Sequence, residues 1–171
     1  LHLLKMKKLK GITLTLVCIS IFIAAVSCES TDCPINNVVY STYGFYAATD
    51  EGESKIQVLD TLTVTAAGTD SILINRLVRG SEVELPVSYS AATDTLIFHF
   101  TDTVGRTRRD TIWIDKENIP HYESPTCPAS MFHHVTAVRW TRLLVDSVSI
   151  VNPNINYNVS ENFKIYFRNG N

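Results

Sequence analysis

Period-two alternation constrains this chain most, because it recurs from Val38 onward and no stretch there carries a helical stripe. Val83, Leu85, Val87 and Tyr89 alternate with Glu82, Glu84 and Ser88. Leu96, Phe98 and Phe100 alternate with Thr95, His99 and Thr101, and Phe163, Ile165 and Phe167 with Lys164 and Arg168. Successive strand side chains point to opposite faces, so each segment reads as a strand with one face on a core. Strands are expected at 37–48, 57–66, 70–78, 82–89, 94–103, 107–115, 131–142, 143–151 and 160–168. Ala67-Gly68-Thr69-Asp70, Arg79-Gly80-Ser81 and Val104-Gly105-Arg106 supply turn chemistry between several of them. An all-β chain follows, an antiparallel β-sandwich after an N-terminal signal segment, with an immunoglobulin-like arrangement as the leading expectation. Residues 116–130 carry Pro120, Pro125 and Pro128 and read as irregular.

The first 27 residues have a different logic. Met6, taken as the start, is followed by Lys7, Lys8 and Lys10 and then by an uncharged run from Gly11 to Ala25. A basic segment before an apolar one is a secretory signal, and the run is short for a membrane span, which needs about 20 apolar residues. It ends in Ala25-Val26-Ser27-Cys28, small residues directly before a cysteine, as at a bacterial lipoprotein cleavage site. Cys28 is then the lipid acceptor and first mature residue, residues 28–36 a tether, and 37–171 the sandwich domain. The acids in Glu29-Ser30-Thr31-Asp32 leave both periplasmic and surface orientations open.

Residues 28–171 hold 11 basic against 17 acidic residues, a net charge of −6, which disfavours nucleic acid as a partner. With Cys18 inside the apolar run and Cys28 assigned to lipid, Cys33 and Cys127 remain. In an oxidising compartment they argue for a disulfide, the alternative being two buried thiols or a redox pair; both precede proline, which favours extended backbone. No Cys-x-x-Cys is present.

A triplet of Asp, Ser or Thr, and an aliphatic residue occurs at Asp60-Thr61-Leu62, Asp70-Ser71-Ile72, Asp94-Thr95-Leu96, Asp102-Thr103-Val104, Asp110-Thr111-Ile112 and Asp146-Ser147-Val148. The plain reading is that Asp turns the chain through its side chain, the hydroxyl faces water and the aliphatic residue enters the core. The triplet also resembles the O-glycan acceptor of Bacteroides-type envelope proteins, which makes Thr61, Ser71, Thr95, Thr103, Thr111 and Ser147 candidate acceptors.

No metal or cofactor site is expected. His133 and His134 are adjacent and so face opposite ways, His99 and His121 have no ligand spacing, and no EF-hand loop or Gly-x-Ser-x-Gly element occurs. Arg106, Arg108 and Arg109 cluster at a hairpin turn. Trp113, opposite the core-facing Ile112 and Ile114, joins Trp140 as a candidate contact residue.

Taken with the Cys28 motif, Cys33-Pro34, the Asp-Thr triplets, the run from Pro120 to His133 through Cys127-Pro128, and the ending from Asn152 to Phe167, the chain resembles an uncharacterised family of Bacteroidota lipoproteins. That resemblance implies an envelope location and paired cysteines, and brings no activity with it. The function expected is a non-enzymatic outer-membrane lipoprotein, tethered to the membrane by its lipid, whose sandwich binds an envelope protein such as a barrel or its assembly machinery. A carbohydrate- or peptidoglycan-contacting module is the alternative, and a hydrolase or inhibitor a third class.

Overall fold

A computed structural model describes residue 33 and residues 38–47, 55–69 and 71–168. The expected signal segment, Cys28, the tether apart from Cys33, and Asp70 lie outside the described residues. Every regular element described is a strand: β1 (Tyr40–Ala47), β2 (Lys55–Ile56), β3 (Leu59–Ala66), β4 (Ile72–Gly80), β5 (Glu82–Pro86), β6 (Thr93–Thr101), β7 (Thr107–His121), β8 (Ser130–Trp140), β9 (Val145–Ile150), β10 (Asn154–Ile155) and β11 (Glu161–Phe167).

They form two sheets. One runs β2-β1-β11-β9, with β5 also paired to β1; the other runs β10-β8-β7-β6-β3-β4. Among the described residues only β1 and β11 pair in parallel, and the other ladders are antiparallel. The sandwich architecture is therefore the expected one. Its strand order differs from the four-on-three immunoglobulin order, since one sheet here carries six strands built around the consecutive β6-β7-β8 meander.

The alternating apolar residues close the two sheets on each other. Leu62 and Val64 of β3, Phe98 of β6, Ile112 of β7, Leu85 of β5, Phe45 of β1 and Phe163 and Ile165 of β11 are fully buried. Aromatic rings bridge the layers, Tyr43 of β1 meeting Phe98 of β6 edge-on at 5.9 Å and Phe100 of β6 meeting Phe167 of β11 at 5.3 Å, while within one sheet Tyr43 stacks on its cross-strand partner Phe163 at 4.8 Å. Such offset and edge-on pairs add to the stabilisation from buried area. Burial raises the Tyr43 phenol well above its ordinary pKa, and its oxygen accepts a hydrogen bond from Ser41 Oγ at 3.0 Å.

Residues 116–130 are not one irregular segment. β7 continues to His121 and β8 begins at Ser130, so only 122–129 connect them. The reason Pro120 is tolerated is local: β6 begins at Thr93, opposite Asp115, so beyond that point β7 has β8 on one side and no full-length strand on the other. Proline is accepted where a second ladder is missing. β8 also carries a bulge, because Asp115 pairs with Ala137 while Lys116 pairs with Val135. Thr136 is the extra residue, and its hydroxyl donates to the Asp115 carbonyl at 3.1 Å. A one-residue insertion reverses the facing of everything after it.

Edge strand β4 bears two arginines in the left-handed region, Arg76 at φ 53° and Arg79 at φ 56°. Left-handed kinks and charge on an outer strand discourage edge-to-edge pairing with other chains.

Candidate functional site

β7 is the axis on which the polar features are arranged. At its start the chain turns through Asp102, whose Oδ1 accepts the backbone N–H of Val104 at 3.0 Å and of Arg106 at 2.9 Å, with Gly105 at φ 83°. Arg106 Nε donates to Asp102 Oδ2 at 2.8 Å. The Arg106 backbone N–H, foremost among these bonds, holds the Asp102 carboxyl below its ordinary pKa. Arg106 is thus engaged by its own turn.

Arg108 and Arg109 have a different neighbour, Arg142, brought beside them by a buried carboxylate. Asp110 is fully buried and its two oxygens accept four hydrogen bonds: Thr141 Oγ1 at 2.6 Å and Leu143 N–H at 2.8 Å on Oδ1, Leu144 N–H at 2.8 Å and Val145 N–H at 3.0 Å on Oδ2. Thr141 Oγ1 in turn accepts the Thr111 N–H at 2.8 Å. The β8–β9 connection is thereby clamped to β7, and the result is an open groove of about 900 Å³ lined by Ile97, Thr107, Thr111, Thr141 and Leu143 together with the three arginines. Among the described residues, none of the three has a carboxylate within 4.0 Å. Arg142 lies over the Trp140 ring at 5.6 Å. His99, paired across the ladder with Arg109, is held below its ordinary pKa by burial and then by that arginine.

The two tryptophans separate. Trp113 is on the outer face as expected, half-buried, with the Arg139 guanidinium 5.7 Å above its ring and Arg139 ion-paired to Asp115 at 3.2 Å. Trp140 faces the other way: it pairs with Ile112, packs against the core, and donates its indole N–H to the Asp146 carbonyl at 3.1 Å. The bulge at Thr136 causes this reversal, so Trp140 is no outer-face contact residue.

In four triplets the hydroxyl and aliphatic positions follow the plain reading, with Leu62, Leu96, Ile112 and Val148 buried and Thr61, Thr95, Thr111 and Ser147 half-exposed, but Asp60, Asp94, Asp110 and Asp146 lie within strands rather than at turns. Two depart from it. Val104 is 71% exposed because its triplet forms the turn beyond β6, and Ile72 is 58% exposed at the start of edge strand β4, so neither enters the core. Thr103 and Ser71 are exposed beside them.

At the other end of β7, Lys116 is buried and its ammonium uses all three donors, on Ser88 O at 2.8 Å, Ala91 O at 2.6 Å and Asn118 Oδ1 at 2.8 Å. Asn118 Nδ2 donates to Ser90 O and Ala91 O, and Asn118 Oδ1 also lies 2.8 Å from His133 Nδ1. An amide oxygen only accepts, so it fixes the His133 tautomer with its proton on Nδ1. His134 points away and meets Asn154 Oδ1 at 2.9 Å, as adjacent strand residues should. Burial, and then the Lys116 charge, push the His133 imidazole down to about 4. An unfolded histidine takes its proton near pH 6.5, so as pH falls from about 6.5 to about 4 the unfolded chain gains a proton that folded His133 refuses. That part of the stability is complete above the window and lost through it. In urea unfolding, His133→Gln is expected to show a shallower decline over this window than the wild type.

Just past the end of β7 lies the Cys33–Cys127 disulfide, Cα–Cα 5.4 Å, joining residues 94 apart and pinning the 122–129 connection to the beginning of the domain.

Arg109 and Arg142, which no described carboxylate pairs, form with the threonine hydroxyls a surface suited to anions through bidentate, charge-assisted hydrogen bonds; Arg108, next to Arg109 on β7 and in register with the buried Phe100, borders the groove from the alternate face of the strand. Among the described residues no group of three or more His, Cys, Asp or Glu is placed to hold a metal ion. Sequence reasoning found Arg108 and Arg109 and missed Arg142 and the Asp110 clamp, whose partners lie 31 to 35 positions away.

Fold and groove together define a disulfide-laced, all-β sandwich with a basic surface at one end. The chain belongs to a family of unknown function (DUF6452), which matches residues 61–167, from β3 through β11. The matched span includes Cys127 and the arginine groove; Cys33 and β1 lie outside it. No curated protein and no solved structure matches the chain.

Proposed function

We propose that this protein is a non-enzymatic accessory or binding subunit of an envelope complex, lipid-anchored through Cys28 at the outer membrane, which offers the Arg108, Arg109 and Arg142 groove to an anionic surface of its partner. The observation that carries this reading is the placement of the disulfide. The 15 residues of β7, rising about 3.3 Å each, separate the turn end from the disulfide end by roughly 45 Å. A chain tethered a few residues before Cys33 would therefore hold the groove away from its own lipid, facing outward. Disulfide-permissive surroundings and the Ala25-Val26-Ser27-Cys28 motif support the same location.

A protein partner is favoured over sugar because the groove is flanked by the apolar Ile97 and Leu143, the latter 65% exposed. The carbohydrate reading rests on the hydroxyls of Thr107, Thr111 and Thr141, which suit a polyanionic glycan. O-glycosylation is a proposal for the triplet hydroxyls, and Thr111 is the poorest of them for this function, since a sugar there would occupy the groove.

The test is co-purification through a C-terminal tag from envelopes solubilised in mild detergent. The wild type is expected to retain one stoichiometric envelope protein that Arg108→Glu/Arg109→Glu loses by at least tenfold, equivalent to about 1.4 kcal/mol. Equal recovery by both would remove the groove from the interface. Retention of a charged polysaccharide without protein would favour the glycan alternative.

A further inference from the structure

We propose that the disulfide end of the sandwich is a second membrane contact, seated in the headgroup layer of a lipid bilayer through Tyr122, Ile119 and Tyr157. This deepens the reading above and rests on acylation of Cys28. Seven tyrosines occur in the chain, and the four most exposed, Tyr40, Tyr89, Tyr122 and Tyr157, all lie at this end. Tyr40 opens β1 opposite Pro86, and Tyr89 donates its hydroxyl to Ala129 O at 3.2 Å. Tyr157 meets Phe132 edge-on at 5.0 Å, and Phe132 stacks on His121 at 4.2 Å. Tyr122 is 65% exposed and Ile119 48%.

Two arguments select lipid as the occupant. The first is chain length: four residues lie between Cys28 and Cys33, and the five residue-to-residue steps span at most about 18 Å. Cys33 is bonded to Cys127, which lies in the same connection as Tyr122, so an acylated Cys28 would keep this connection within reach of the bilayer surface. The second is chemistry. Tyrosine, apolar in body and polar at its tip, is a side chain that concentrates at membrane–water interfaces. Among the described residues the exposed charges beside Tyr122 and Ile119 are the acids Glu117 and Glu123, while Lys116 is buried. The contact therefore owes nothing to attraction by anionic lipid, and on zwitterionic phosphatidylcholine it is insensitive to salt.

The test uses the full acylated chain in phosphatidylcholine vesicles with brominated acyl chains, which quench nearby tryptophan. Trp113 and Trp140 pair within the sheet at the register of Thr95 and Ile112, well back from the tip, so wild-type emission should be unchanged by bromination. Tyr122→Trp should add emission that bromination reduces by roughly twofold, in low and high salt alike. Peptide mass spectrometry of the same sample reads acylation of Cys28. Acylated protein whose Tyr122→Trp emission ignores bromination overturns the docking while leaving the anchor standing. An unmodified Cys28 overturns both.

Discussion

Replacing Asp110 with alanine should lower the unfolding free energy by about 3–5 kcal/mol, the range for breaking a buried, hydrogen-bonded charge site. The side chain is fully buried and is the shared acceptor for Thr141 Oγ1 and the backbone N–H groups of Leu143, Leu144 and Val145. Alanine leaves those donors facing a cavity with no acceptor. Asparagine keeps one oxygen but turns an NH₂ group toward two donors, so Asp110→Asn should also destabilise, by less. In a domain of this size each kcal/mol moves Tm by roughly 2–4 °C, which puts the Asp110→Ala shift at about 6–20 °C. Urea unfolding with an unchanged m value would assign the loss to the native state. Asp146→Ala is the control, because Asp146 and its partner Arg168 are about half exposed and 3.6 Å apart, and pairs of that kind contribute little. A loss below about 1 kcal/mol for Asp110→Ala would mean that the β8–β9 connection holds without its clamp. The same variant should also weaken partner recovery, since Arg142 is presented by the segment that Asp110 fixes.

Reduction of the Cys33–Cys127 bridge should destabilise by a similar amount through a different route. The bridge joins residues 94 apart, and the chain-entropy model assigns such a constraint about 4–5 kcal/mol, acting on the unfolded chain. Most of the sandwich core lies within the bridged span, held by its own packing, so the folded sheets should survive reduction with the unfolding midpoint moved to lower urea. Cys33→Ser/Cys127→Ser should reproduce the reduced wild type and become indifferent to reductant. If the double variant and the oxidised protein unfold together, the bridge adds nothing to stability and serves only to position the connection.

Much of this was legible from residue order alone. The alternation of Leu96, Phe98 and Phe100, and of Phe163, Ile165 and Phe167, identifies residues that are buried, because a strand repeats every second residue and nothing interrupts these two. The Cys33–Cys127 disulfide is the leading expectation once Cys18 is placed in the apolar run and Cys28 is assigned to lipid, and the bridge is present. What escaped depends on long-range register. Trp140 reads as outward only if β8 keeps one phase, and the extra residue at Thr136 breaks that phase. Residues 116–121 read as irregular because Pro120 is judged against a central strand, whereas β7 has lost its β6 neighbour there. Asp110 looks like one of six turn-forming aspartates. Its distinction, four donors arriving from beyond Trp140, exists only once β7 and β9 are brought together. Arg142 joins Arg108 and Arg109 for the same reason.

The most direct test of the polarity proposed for this molecule, lipid at one end and groove at the other, is mass spectrometry of the mature protein digested with trypsin without reduction. Cleavage after Lys55, Lys116 and Arg139 should yield residues 28–55 disulfide-linked to residues 117–139. An anchored protein gives this linked pair carrying a diacylglycerol-scale mass on Cys28, with residues 1–27 absent. The same linked pair with an unmodified Cys28, or with residues 1–27 still attached, would contradict the anchor and with it the outward presentation of Arg108, Arg109 and Arg142.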